Sequence, residues 1–199
     1  MSLLQQADPQ SDLNAGVVRL LSRFLAANGL TNPGLGTGIL IAPDFVLSAS
    51  HNFWVDDVTA TAFTNAGNPL VDRAIDELTV QLGYAYGVTT DEQTAAAAEV
   101  VHLRGYNGDE STPNDIALVR LPEAMAVDIS KLPGLVAFAD PQLLTSLTVR
   151  VVGYPYAPGD VAGTPDGERL WQATDSVRAT TDGGVLQYWS APLRRCQVD

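Results

Sequence analysis

Polar and apolar positions alternate in short runs along most of this chain, with turn-forming residues between the runs. Gly16–Leu21 (GVVRLL) sets β-branched and apolar residues around one Arg, a strand pattern. Turn residues follow at Asn28-Gly29 and again from Asn32 to Gly38. Gly36–Ile41 (GTGILI) and Phe45–Ala49 (FVLSA) are apolar runs joined by Ala42-Pro43-Asp44, which predicts a buried β-hairpin. Val58–Phe63, Leu78–Tyr84, Val100–Leu103, Ile116–Leu121, Leu147–Gly153, Leu170–Ala179 and Val185–Trp189 are further strand candidates. Asp91–Glu99 differs: four consecutive Ala behind acidic residues read equally as a helical turn or as a loop leading into the next strand. Pro122, Pro133 and Pro141 mark a connector between two subdomains, and Tyr154–Gly167 reads as a loop rich in Pro, Gly and Asp. Residues 1–14 are polar and predicted to be loose. The sum is an all-β chain of many short strands, as in a barrel or sandwich.

Composition narrows this further. A length of 199 residues suits one large domain or two small, packed ones, and 46% hydrophobic residues supply a core of normal size. Only 17% of residues are charged, against 17 Gly and 12 Pro, which excludes coiled coils and long-helix proteins. The net charge of −12 argues against a nucleic-acid partner, which needs clustered Lys and Arg. Lys131 is the sole lysine, and Arg194-Arg195 is too small a basic cluster to serve. Cys196 is the sole cysteine, so no disulfide forms within the chain. Met1–Ser11 has no basic leader followed by an apolar run, and no stretch approaches the ~20 apolar residues of a membrane helix. A soluble protein without a membrane partner is expected; compartment and oligomeric state stay open.

Two histidines narrow the search for chemistry. His51 closes the hairpin segment GTGILIAPDFVLSASH, where a strand end can hold an imidazole rigidly at the edge of a core. Taken alone, it reads more readily as an ordinary packed histidine. Asp115 directly precedes an apolar strand in TPNDIALVRL, where a half-buried carboxylate needs a partner such as a His N–H. Taken alone, it reads as a turn residue. A metal site from His51 and His102 has little support, because no short ligand spacing links them.

Together these segments resemble the trypsin-like serine peptidases, closest to the bacterial glutamyl-endopeptidase-like branch. The resemblance rests on Gly36-Thr37-Gly38, on Leu47-Ser48-Ala49-Ser50-His51 and on Asp115-Ile116-Ala117-Leu118. Gly153-Tyr154-Pro155 and Leu186-Gln187-Tyr188 follow in the family's order. Ser50 departs from the usual small-residue run, which ends Ala-Ala-His. Val100–Tyr106 is similar to a structural segment upstream of the family's Asp, which makes His102 structural. The resemblance implies two antiparallel β-barrels, the first over residues 15–122 and a partial second over 145–199. It also implies a catalytic His51 and Asp115, no cofactor or metal, and a peptide or protein substrate.

The family's nucleophile sits in Gly-x-Ser-Gly, whose glycines let backbone N–H groups converge into an oxyanion hole. That motif is absent from these 199 residues. Ser190 lies in the right neighbourhood but follows Trp189 and precedes Ala191-Pro192, without glycines. Cys196 has Arg neighbours that favour a thiolate, again without glycines. The nucleophile is therefore unassigned, and the expectation is a copy cut short or frame-shifted before its Ser motif, inactive as it stands. The alternative is a non-catalytic relative that binds peptides by strand addition or acts as a regulatory module.

Overall fold

The computed structural model describes residues 5–25, 31–53, 77–85, 93–96, 99–106, 114–134, 147–155, 167–180 and 186–188. Over these residues the chain is all-β, with short 3-10 turns and no α-helix. The strands are β1 (Gln5–Gln6), β2 (Val17–Leu25), β3 (Thr31–Ala42), β4 (Phe45–Ser48), β5 (Glu77–Leu82) and β6 (Gln93–Ala96). They continue with β7 (Glu99–His102), β8 (Ala117–Arg120), β9 (Thr148–Gly153), β10 (Trp171–Thr180) and β11 (Leu186–Tyr188). The expected strand Val58–Phe63 lies outside the described residues.

Seven strands form one antiparallel sheet in the order β6-β5-β2-β3-β4-β8-β7. Its outer strands, β6 and β7, are separated in sequence only by residues 97 and 98. Laid flat, seven strands would hold the outer two about 29 Å apart. The chain from Ala96 to Glu99 reaches no more than about 11 Å. The sheet therefore has to curl until its two edges approach each other. The interior of that curl is the main core: Val18, Leu20, Leu40, Val46, Phe53, Val80 and Val119 are all at most 1% exposed. Burying each such side chain stabilises the fold by about 1.5–3 kcal/mol.

The predicted hairpin is present as β3 and β4, paired from Gly38↔Ser48 to Ala42↔Phe45. The connector packs back onto its turn: Leu121 N–H donates to Asp44 O (2.9 Å), and Met125 N–H donates to Pro43 O (2.9 Å). Beyond lies a 3-10 turn, Ile129–Lys131, capped by Asp128. The Ser130 hydroxyl, then its N–H, hold the Asp128 carboxyl below the ordinary carboxylate range.

Three stretches differ from the sequence reading. Asn32–Gly38, read as turn residues, belongs to β3 and pairs with β2. Its glycines serve close packing: a Cβ on Gly38 would lie 2.5 Å from Val46 Cγ1. Gln93–Ala96 is a strand, neither helix nor loop, because pairing with β5 in the register Val80↔Ala95 overrides the Ala propensity. Residues 5–14 are packed rather than loose. β1 pairs with β10, Ala7 is buried and donates its N–H to Leu170 O (2.7 Å), and Asn14 Nδ2 donates to Asp8 O (2.7 Å). Lys131 Nζ also reaches Asp12 Oδ1 at 2.7 Å, and Arg150 donates to Asn14 Oδ1.

After the connector, β9, β10 and β11 form an antiparallel sheet with β1 on the other flank of β10. Strand β2 faces both sheets. Val18 and Leu20 enter the main core, while Val17 joins a second cluster with Ala7, Tyr154 and Leu170. Arg19, only 4% exposed, crosses the seam. It donates to Gly167 O (2.8 Å), Gln81 Oε1 (3.0 Å) and Glu168 Oε1 (2.7 Å), and its guanidinium lies 4.2 Å from the Tyr84 ring centre. Tyr84 donates its hydroxyl to the other Glu168 oxygen. The buried charge is thus paired and hydrogen-bonded on every side, as burial demands.

Candidate active site

The position of His51 follows from the hairpin. Strand β4 pairs with β8 up to Ser48↔Ala117. The residues just past Ser48 therefore lie beside those just before Ala117, which brings His51 and Asp115 together across 64 positions of sequence. The chain leaves β4 through a 3-10 turn, Ser50–Phe53, pinned in the core by Phe53, which is 1% exposed. Asn52 Nδ2 donates to Ser48 Oγ (3.0 Å), and Ser48 Oγ donates to Thr37 O (2.8 Å), so the turn is tied back to β3.

Asp115 grips His51 at two points. The His51 backbone N–H donates to Asp115 Oδ1 (2.8 Å), and ring Nδ1 lies 2.6 Å from Asp115 Oδ2. An ionised carboxylate only accepts, so Nδ1 carries the proton and Nε2 remains as the accepting nitrogen. The side chains are unequally exposed, 42% for His51 and 11% for Asp115. A largely enclosed carboxylate thus holds a ring that stays partly exposed to solvent. Chemically, such a ring can take a proton from a group placed at Nε2 while its orientation stays fixed.

Thr37 links this arrangement to the second sheet. Its Oγ1 accepts from the Tyr154 N–H (2.8 Å), and a Cβ on Gly153 would lie 2.8 Å from that oxygen. Tyr154 is buried and donates its hydroxyl to Tyr84 O (2.9 Å). The Gly-Thr-Gly and Gly-Tyr-Pro segments, distant in sequence, therefore meet at the seam. Among the described residues no group of three or more His, Cys, Asp or Glu side chains could hold a metal ion. His102 stacks on Tyr106, with ring centres 5.9 Å apart and planes at 13°. Ser190 and Cys196 lie outside the described residues.

No family model and no curated protein matches this chain. Solved structures do. Neuropsin, a serine protease expressed in the limbic system of mouse brain, superposes with a TM-score of 0.60 at 17% identity, over 94% of this chain and 74% of that one. The fold is that of the trypsin-like serine proteases. GrC matches with a TM-score of 0.54 at 22% identity, over 88% of this chain and 65% of the other. The protease Anisep from Arthrobacter nicotinovorans matches with a TM-score of 0.56 at 13% identity, over 90% and 69%. The chain therefore spans about two thirds to three quarters of the trypsin-like chains it superposes on. No helix among the described residues is long and apolar enough to cross a membrane.

Two residues beside His51 and Asp115 carry little signal in the sequence. Asn52 follows His51 without any motif of its own, yet it fills the space that Gly36 leaves: a Cβ there would lie 2.7 Å from Asn52 Cγ. Ser50 reads as a small departure in a run of small residues. In the structure it is fully buried and donates its hydroxyl to Ile116 O (2.8 Å).

Proposed function

We propose that this chain carries the His–Asp pair of a serine endopeptidase akin to the bacterial glutamyl-endopeptidase-like branch, with a peptide or protein as substrate. His51 is the general base, and Asp115 orients its ring and stabilises the cation that forms when it takes a proton. Residues 15–122 make the first barrel and residues 145–199 belong to the second. The observation that supports this reading best is the two-point grip of Asp115 on a His51 ring that stays solvent-accessible. The trypsin-like fold supports it independently.

The same template needs a nucleophile beside donors for the developing oxyanion. No Gly-x-Ser-Gly occurs within the 199 residues, so this polypeptide alone forms no acyl-enzyme. A fluorophosphonate probe is expected to leave it unlabelled; stoichiometric labelling at Ser190 would overturn that statement. The endopeptidase reading itself is tested by sequencing the gene past the codon for Asp199 in all frames. A downstream Gly-x-Ser-Gly, translated together with this chain, is expected to give peptide hydrolysis that His51→Ala removes. The missing motif also favours a second reading, a peptide-binding pseudo-peptidase. Micromolar peptide binding without turnover, from a gene with no such motif in any frame, would select it over the first.

A further inference from the structure

We infer that Ser50 is a positioning residue for the His51–Asp115 pair, an inference that rests on the function proposed above. Two consecutive residues on one side, Ser50 and His51, face two on the other, Asp115 and Ile116. Three hydrogen bonds join them. Two run from His51 to the Asp115 carboxylate. The third runs from Ser50 Oγ to the backbone oxygen of Ile116, at 2.8 Å.

The third bond has a separate task. The β4–β8 ladder ends at Ser48↔Ala117, so residues 115 and 116 lie beyond its last backbone pair. Ile116 offers little side-chain packing to hold that stretch, since it is 43% exposed. The carboxylate bonds cannot supply the hold either, because they act through side-chain torsions that must themselves be fixed. The Ser50 hydroxyl reaches past the end of that ladder and, together with the Leu103 N–H, fixes the Ile116 carbonyl, one residue on from Asp115. The Ile116 oxygen also accepts the Leu103 N–H (2.8 Å), which saturates both of its lone pairs and sets its direction. Ser50 itself is fully buried, so water does not compete for its hydroxyl.

The experiment reads the solvent exchange of the His51 Nδ1 proton by NMR on the full chain, with backbone amide exchange in β4 and β8 measured alongside. The wild-type protein is expected to show a hydrogen-bonded ring proton that Asp115→Ala abolishes. Ser50→Ala is expected to exchange this proton roughly five-fold faster, the factor set by one hydrogen bond of ordinary net strength. Amide protection in β4 and β8 stays unchanged, and Ser50→Thr, which keeps the hydroxyl, restores the slow exchange. Equal ring-proton exchange in Ser50→Ala and wild type would overturn the inference while leaving the pair intact. So would a Ser50→Ala protein that loses protection throughout β4 and β8 or fails to fold, because the hydroxyl would then support the sheet. Failure of Ser50→Thr to restore slow exchange would overturn it too. A wild-type ring proton that is absent, or that survives Asp115→Ala, would instead bring down the functional reading on which the inference stands.

Discussion

Thr37 and its flanking glycines show how much one tripeptide can carry. The Thr37 hydroxyl receives Tyr154 from the second sheet, while its carbonyl receives Ser48 from the strand that leads to His51. Gly38 is constrained by space: a Cβ would meet Val46 Cγ1 at 2.5 Å and Val18 Cγ2 at 3.1 Å. Both valines are fully buried and cannot yield. Gly38→Ala is therefore expected to cost about 1–3 kcal/mol, read as a lower urea midpoint. Gly134→Ala, where a Cβ would meet nothing within 4 Å, is the matched control and should leave the midpoint in place. At this scale the pairing of His51 with Asp115 was legible only from their two segments taken together, since each alone reads as an ordinary residue at a strand end. Ser50 and Asn52 were not. A serine in a run of small residues gives no sign of a carbonyl partner 66 positions away.

Among the elements, β2 holds the two sheets in relation to each other, because alternate residues of one strand point to opposite sides. Its inward residues Val18 and Leu20 are ordinary core, but Arg19 is a charge placed where the other sheet must come. Arg19→Met would leave the Gly167 carbonyl and the Glu168 carboxylate without this donor. A broken buried pair costs about 3–5 kcal/mol, and the figure here falls at or below the low end because Glu168 keeps 31% exposure. Urea unfolding of Arg19→Met, and of the double variant with Glu168→Gln, checks this; the double variant should recover part of the loss. A neutral Arg19→Met would show that the seam is held by apolar contact alone. The hairpin β3–β4 was legible from its two apolar runs and Pro-Asp turn. Strand β6 was not, since an Ala run takes its conformation from the strand it meets. The glycines of residues 32–38 were misleading for a related reason: close packing and turning both select glycine, and only the neighbouring strands tell them apart.

For the whole molecule, the two sheets meet across β2, whose Val18 and Leu20 belong to one buried cluster and whose Val17 belongs to the other. The contact of Lys131 with Asp12 has a practical consequence. The bond raises the ammonium's pKa above its ordinary value, chiefly through the hydrogen bond that it donates to Asp12. The stabilisation linked to the ammonium is thus fully present below pH 10.5, as far as the lysine is concerned, and fades as pH rises through the higher folded value. Lys131 is also the one ε-amine in the sequence. Apart from the α-amine, an amine-reactive dye has a single place to attach, and attachment requires the lysine to let go of Asp12. The rate of acylation at that one site therefore reports how often the exposed Lys131–Asp12 bond opens, obtained without altering a single codon.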